Sequence, residues 1–192
     1  MKLFSSLYNK VIAWSKHPQA PRYLGALSFA ESSFFPIPPD VMLMPMVIAN
    51  PARWKYLAGL TTIASVLGGL AGYLIGLFAF DGLQPYIVQW GYGEKLTQAQ
   101  NWFEQWGVWV IFAAGFSPIP YKIFTITAGA LAMALIPFII ASIIGRGARF
   151  FLVSALLAWM GPKMEPLIIR YIEWLGWAIV AALILIILIT QV

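Results

Sequence analysis

Three stretches of this chain carry no charged side chain over a length that matches a lipid bilayer. Tyr56 to Phe80 runs for 25 residues, Ile123 to Gly145 for 23 and Trp174 to Val192 for 19. A helix needs about 20 apolar residues to cross the hydrocarbon core. Inside it, every backbone polar group must find its partner within the protein. These windows dictate an all-α membrane protein. Composition agrees, because only 10% of the residues are charged, against about 25% in a soluble domain.

Several function classes drop out. With 0 cysteines there is no disulfide, thiol nucleophile or thiolate metal site. His17 is the 1 histidine and lies among prolines, so no catalytic dyad forms around it. Gly91-Tyr-Gly93 and Gly145-Arg-Gly147 lack the third glycine of a dinucleotide fingerprint. The basic residues flank apolar spans, which argues for membrane topology and against nucleic acid. Lys10, Lys16 and Arg22 interrupt any secretory h-region. The expectation is a non-enzyme with no cofactor and no metal.

The chain reads as a single transmembrane domain over 1–192. Residues 1–22 suit an interfacial amphipathic helix, with Leu3, Leu7, Val11 and Trp14 at helical spacing and lysines between. Residues 23–80 hold a first hairpin and span, 81–105 a second interfacial helix, 106–160 a second hairpin and span, and 174–192 a C-terminal span. Each hairpin is broken by prolines: Pro36, Pro38 and Pro39 in the first, Pro118 and Pro120 in the second. Proline removes a backbone donor and disfavours helix at the residue before it. Two half-helices joined by a re-entrant turn therefore fit better than one span.

The halves match one another. Phe35-Pro-Ile-Pro38-Pro39-Asp40 aligns with Ser117-Pro-Ile-Pro120-Tyr121-Lys122 at an offset of 82, and Ile63 to Gly72 aligns with Ile140 to Arg149 at an offset of 77. If each hairpin enters and leaves on one face, Lys2, Lys10, Lys16, Arg22, Arg53, Lys55, Lys163 and Arg170 share a side, and Lys95 stands opposite. That bias makes the N-terminal side cytoplasmic in an inner (plasma) membrane protein. The hairpins then enter from opposite faces, as an inverted repeat requires.

Five ionisable residues fall in apolar segments: Glu31, Asp40, Lys122, Arg146 and Arg149. Each costs about 2.5–3.5 kcal/mol at the centre of a span, so pairing is required, and such residues are by default a functional-site hypothesis. Asp40 and Lys122 hold equivalent repeat positions with opposite charge and are expected to meet. Glu31 would then answer Arg146 or Arg149, which share a helical face, and would be the acid left to carry a proton. The alternative is static ion pairs that fasten the hairpins. Gly68, Gly72 and Gly76 form a small-xxx-small face for close helix packing.

Phe29-Ala-Glu31-Ser-Ser-Phe-Phe-Pro36-Ile-Pro38-Pro-Asp40 and Gly115-Phe-Ser-Pro118-Ile-Pro120-Tyr-Lys122, followed by Ala128-Gly129, resemble the DedA family of VTT-domain (SNARE-associated Golgi) proteins, and its small YqaA-like branch in particular. The resemblance covers roughly residues 20–160. It implies two facing re-entrant hairpins and transport of lipid-linked or proton-coupled cargo, as in polyprenyl-phosphate flippases and phospholipid scramblases. The family's two essential acids would fall on Glu31 and Asp40. Its second hairpin usually carries two arginines, where this chain has Gly115 or Phe116 and Lys122; Arg146 and Arg149 would supply the missing guanidinium. The expected partners are membrane lipids, a lipid-phosphate cargo and protons, with self-association as a homo-oligomer left open. A proton-coupled solute carrier and a non-transporting scaffold are the alternatives.

The orientation is testable. Cysteines placed at Ser5, Thr97 and Lys163 and treated with an impermeant thiol reagent on intact spheroplasts should label at Thr97 alone. Label at Ser5 or Lys163 without Thr97 sinks the assignment.

Overall fold

A computed structural model describes residues 12–35, 37–89, 93–117 and 121–161. Among these the secondary structure is helical, with no strand. Residues 12–15 are helical and the chain turns through 16–19. Helix α1 follows at Ala20–Ser33, with Pro21 in its first turn, where the missing N–H costs nothing. The chain breaks, and α2 resumes at Asp40–Ala49 with Pro39 as its N-cap. A short 3₁₀ turn, Pro51–Arg53, leads into the long α3, Trp54–Gln89. Then come α4, Gly93–Phe116, α5, Tyr121–Ala130, and α6, Leu135–Gly161.

The prolines of the first hairpin thus separate two half-helices. At 1.5 Å per residue, the 10 residues of α2 and the 10 of α5 reach about 15 Å, half the hydrocarbon thickness. Pro36, Pro118 and Pro120 lie outside the described residues, as do the expected 174–192 span and most of the first interfacial helix. The 81–105 region is not a helix of its own. Helix α3 continues past Phe80 to Gln89, and α4 runs unbroken across residue 105. Scattered charges make such a stretch polar without terminating a helix.

Among the described residues, two helices are apolar and long enough to span, Pro51–Phe80 and Leu135–Gly161, and only 33% and 39% of their apolar windows are buried. The core helix of a soluble protein would be mostly covered. Here Ile63, Leu67, Phe78, Ile136, Ile140 and Trp159 stay exposed, which suits lipid. The location is a membrane.

Helix α3 is the central strut, packed chiefly against α1 and α5. Its glycines allow it. A Cβ on Gly68 would overlap the Phe29 carbonyl of α1, one on Gly76 the Ile126 carbonyl of α5, and one on Gly129 the Tyr73 carbonyl of α3; Gly72 lies against Thr125. Gly145 of α6 meets the Phe112 carbonyl of α4 in the same manner. Cross-helix hydrogen bonds follow the seams: Ser33 Oγ donates to Gly68 O at 2.9 Å, and Tyr73 Oη to Met133 O at 2.6 Å. Two apolar clusters result. Leu24, Leu43, Met46, Leu57 and Phe150 gather at the first hairpin. Tyr73, Phe103, Ile111, Tyr121 and Phe138 gather at the second.

Gly68→Ala or Gly129→Ala should lower stability by at least about 1–3 kcal/mol, because backbone has to move to admit the methyl. Gly59, whose Cβ would meet nothing within 4 Å, should gain about 0.5–1 kcal/mol as alanine. Thermal unfolding in detergent separates the two outcomes.

Candidate functional site

The two apolar clusters touch at one cation. The Arg146 guanidinium lies 4.8 Å from the ring centroids of both Tyr121 and Phe150, one from each cluster. It is 1% exposed. A guanidinium this deep survives only when its charge is answered by an ion partner and hydrogen bonds. One terminal nitrogen donates to Glu31 Oε2 at 2.5 Å and to Ser32 Oγ at 3.0 Å. Nε donates to Ser65 Oγ at 2.5 Å. The serine hydroxyls are 2.7 Å apart, and Ser32 Oγ also donates to Glu31 Oε2 at 3.0 Å. The aromatic faces add cation–π attraction.

One turn along α6, Arg149 does something different. One terminal nitrogen donates to Asp40 Oδ2 at 2.6 Å, and the other to the Ser117 carbonyl, also at 2.6 Å. Asp40 opens α2 at the first break, and Ser117 follows α4 at the second. Arg149 therefore bridges the ends of both hairpins. Its pair is more open than the first: the side chains of Arg149 and Asp40 are 16% and 12% exposed, against 2% and 10% for Arg146 and Glu31. Asp40 Oδ1 is buried with no hydrogen-bond partner, which costs about 1–3 kcal/mol.

Of the five ionisable residues singled out in the sequence, four form two ion pairs, Arg146–Glu31 and Arg149–Asp40. Glu31 answers Arg146, as one of its two expected options. Asp40 does not pair with Lys122; its partner is Arg149. Lys122 instead donates from Nζ to the Phe34 carbonyl at 3.4 Å, across the first break. The physical reason is that Arg149 presents two donors in a fixed fork and satisfies Asp40 and Ser117 at once, whereas an ammonium acts as a point charge. The guanidinium sought near the second hairpin does stand there, supplied by α6.

Sequence reasoning passed over Ser32, Ser65 and Tyr121. Ser65 offers a signal, since a hydroxyl within the uncharged Tyr56–Phe80 window has to bond across helices or back to its own turn. Tyr121 gives less. Its Oη donates to Ser142 Oγ at 2.5 Å and its ring faces Arg146, which only the fold reveals.

The VTT domain matches residues 37–158, more than half of the chain. This chain belongs to the VTT-domain (DedA) family. The VTT region takes in Asp40, Lys122, Arg146 and Arg149, and Glu31 lies just ahead of it. Among relatives, an uncharacterized Haemophilus influenzae protein is 49% identical over 180 residues, covering 94% of both chains. An uncharacterized Histophilus somni homologue is 48% identical over 191 residues and covers 100% of both. Undecaprenyl phosphate transporter A of Staphylococcus aureus is 35% identical over 92 residues, 45% of each chain. No solved structure matches.

In this VTT-domain protein, removing one partner of the sealed pair, by Glu31→Gln or Arg146→Met, should cost about 3–5 kcal/mol, because the other charge is left buried. The double variant should cost clearly less than the sum, a coupling that a double-mutant cycle on thermal unfolding reads directly.

Proposed function

We propose that this VTT-domain protein is an inner-membrane transporter that moves an anionic lipid, such as a polyprenyl phosphate or a phospholipid, between leaflets together with protons. The observation that carries the reading is the Arg149–Asp40 pair: a guanidinium shared between two hairpin ends and held by a carboxylate with one buried oxygen unpartnered. Partial likeness to an undecaprenyl phosphate transporter supports the cargo class.

The architecture behind it is an inverted repeat of two re-entrant hairpins, N-terminus cytoplasmic. Equivalent contacts favour it. Ser33 lies on Gly68 in the first half, and Gly115, 82 positions on from Ser33, lies against Gly145, 77 positions on from Gly68. In such proteins cargo sites form where broken helices meet near the midplane.

The two ion pairs then divide the work. Arg146 and Glu31 fasten the hairpin to α6, through Nε and one terminal nitrogen of the guanidinium. Arg149 is the cargo cation. Its fork matches two phosphate oxygens as readily as the present carboxylate and carbonyl, and Lys122 at the neighbouring break adds a second positive charge. A proton taken by Asp40 at its unpartnered oxygen displaces no existing hydrogen bond, weakens its hold on Arg149 and frees the guanidinium for the phosphate. Loss of the headgroup to the far leaflet lets Asp40 ionise and re-pair. Glu31, bonded to Arg146 and Ser32, has less freedom to take up a proton, so the coupling role passes to Asp40.

The sign follows from linkage. Cargo binding takes up a proton, so apparent affinity rises as pH falls, by at most about tenfold per pH unit for one coupled proton. Purified protein in liposomes with fluorescent polyprenyl phosphate should translocate it faster at pH 6 than at pH 8. Arg149→Gln should reduce the rate at least about tenfold, and Asp40→Asn should flatten the pH profile. Wild-type rates no higher than empty liposomes, or an Arg149→Gln rate equal to wild type, would reject the proposal.

A further inference from the structure

A polar cavity lies away from the ion pairs, at the foot of the first hairpin. It measures about 180 Å³ and is bounded by residues 15–18 and 21 on one side and by the end of α2 and the start of α3 on the other. Lys16, His17, Arg53 and Asn50 line it, with Met46 and Leu57 as apolar floor, and among the described residues no carboxylate contributes to its wall. Among the described residues, neither Lys16 nor Arg53 has an ion-pair partner. His17 Nδ1 accepts from the Gln19 N–H at 3.2 Å, which leaves the Nε2–H of the neutral ring as a donor. The cavity thus offers two cations, an imidazole N–H and an amide to one occupant, with an apolar surface beneath.

Its depth is set by the helices. Arg53 stands at the start of the Pro51–Phe80 span, and aromatic side chains neighbour the lining residues in sequence: the Trp14 and Tyr23 ring centroids are 5.8 Å apart, Arg53 lies 5.3 Å from the Tyr56 ring centroid, and Lys55 Nζ lies 5.6 Å from the Trp54 ring centroid. Such a belt marks headgroup level. We infer that this cavity is a docking site for the phosphodiester headgroup of an anionic phospholipid, held by Lys16, Arg53 and the His17 N–H, with its acyl chains on the apolar floor. A lipid fits better than free phosphate because the floor is apolar and the mouth lies in the interface.

The repeat sharpens the inference. A second cavity, about 320 Å³, is lined by Gln100, Glu104, Leu131, Ala132 and Ala134, among others. Offsets of 82 and 77 carry Pro18, Ala49, Asn50 and Leu57 of the first cavity onto Gln100, Leu131, Ala132 and Ala134, while Glu104 falls at the place of Arg22, outside the first lining. The two cavities are repeat mates, yet one presents cations and the other a carboxylate. In the inverted repeat of the proposed function they open on opposite faces, so anionic headgroups are gathered on one leaflet only. The docking site itself needs neither that architecture nor transport.

The test uses the full-length protein in neutral detergent, titrated with short-chain phosphatidylglycerol, phosphatidylcholine or inorganic phosphate, with bound lipid counted by native mass spectrometry. Each cation near a membrane surface is worth about fivefold in affinity, so Lys16→Gln with Arg53→Gln should weaken phosphatidylglycerol binding about 30-fold. Arg53→Gln alone should weaken it about 5-fold, which keeps the test alive should the double variant misfold. Glu104→Gln should change nothing, and phosphatidylcholine should bind far more weakly than phosphatidylglycerol. Wild-type binding by the Arg53→Gln variant overturns the site, and so does inorganic phosphate competing at the same concentration as the lipid. Headgroup binding by a protein that does not translocate would leave this site standing and reject the transport reading alone.

Discussion

A single buried guanidinium organises this protein. Arg146 sits where lipid-facing helices offer no water, so its charge has to be answered by protein. The answer comes from three other helices: Glu31 and Ser32 on α1, Ser65 on α3, and the Tyr121 ring on α5. Because an unanswered charge at this depth is so unfavourable, the helices gain a common register from it. The apolar clusters on either side are interchangeable in the sense that many residues fill space equally well. The polar knot is not, since its hydrogen bonds require these particular acceptors at these distances.

The placement of Arg149 three residues further along follows from helical geometry. Residues three apart share a face, so once Arg146 is fixed to one arm of the first hairpin, Arg149 is carried to the other. The same helix thereby grips the hairpin before and after its break. That the second grip also takes the Ser117 carbonyl makes it the place where the two hairpins are in communication. It is also the less sealed of the two. Rigidity and accessibility are thus separated by a single turn of α6.

Much of this was legible in the residues alone, and the limits have physical causes. The uncharged window Tyr56–Phe80 announced its span because a bilayer tolerates few alternatives. Ile123–Gly145, by contrast, covers α5, breaks at 131–134 and ends inside α6, and 174–192 lies outside the described residues. Proline pairs announced the breaks because a missing N–H cannot be hidden. The ionisable cluster was visible for the same reason, as charge in an apolar window stands out. The partners were harder. Repeat equivalence suggested Asp40 with Lys122, yet equivalence fixes position and not reach, and Arg149 arrives from a helix that the alignment pairs with Gly72. The polar 81–105 stretch was read as a separate surface helix, but polarity describes where a helix lies and not where it ends. Tyr121 was invisible because a ring facing a cation looks, in sequence, like any other core aromatic.

The knot also has a history in time. Glu31 and Arg146 are 115 positions apart, and Asp40 and Arg149 are separated by 109. At about 5–20 residues per second, a ribosome needs roughly 6–20 s to make the cations after the acids. For that interval the first hairpin exists with both carboxyls unanswered. It has either to wait beside the insertion machinery, to lie at the headgroups, or to enter the bilayer with its acids protonated. Burial of the first hairpin is therefore a late event in biosynthesis, completed only when α6 arrives, and a chain truncated before residue 146 should be seen by quality-control proteases as unfinished.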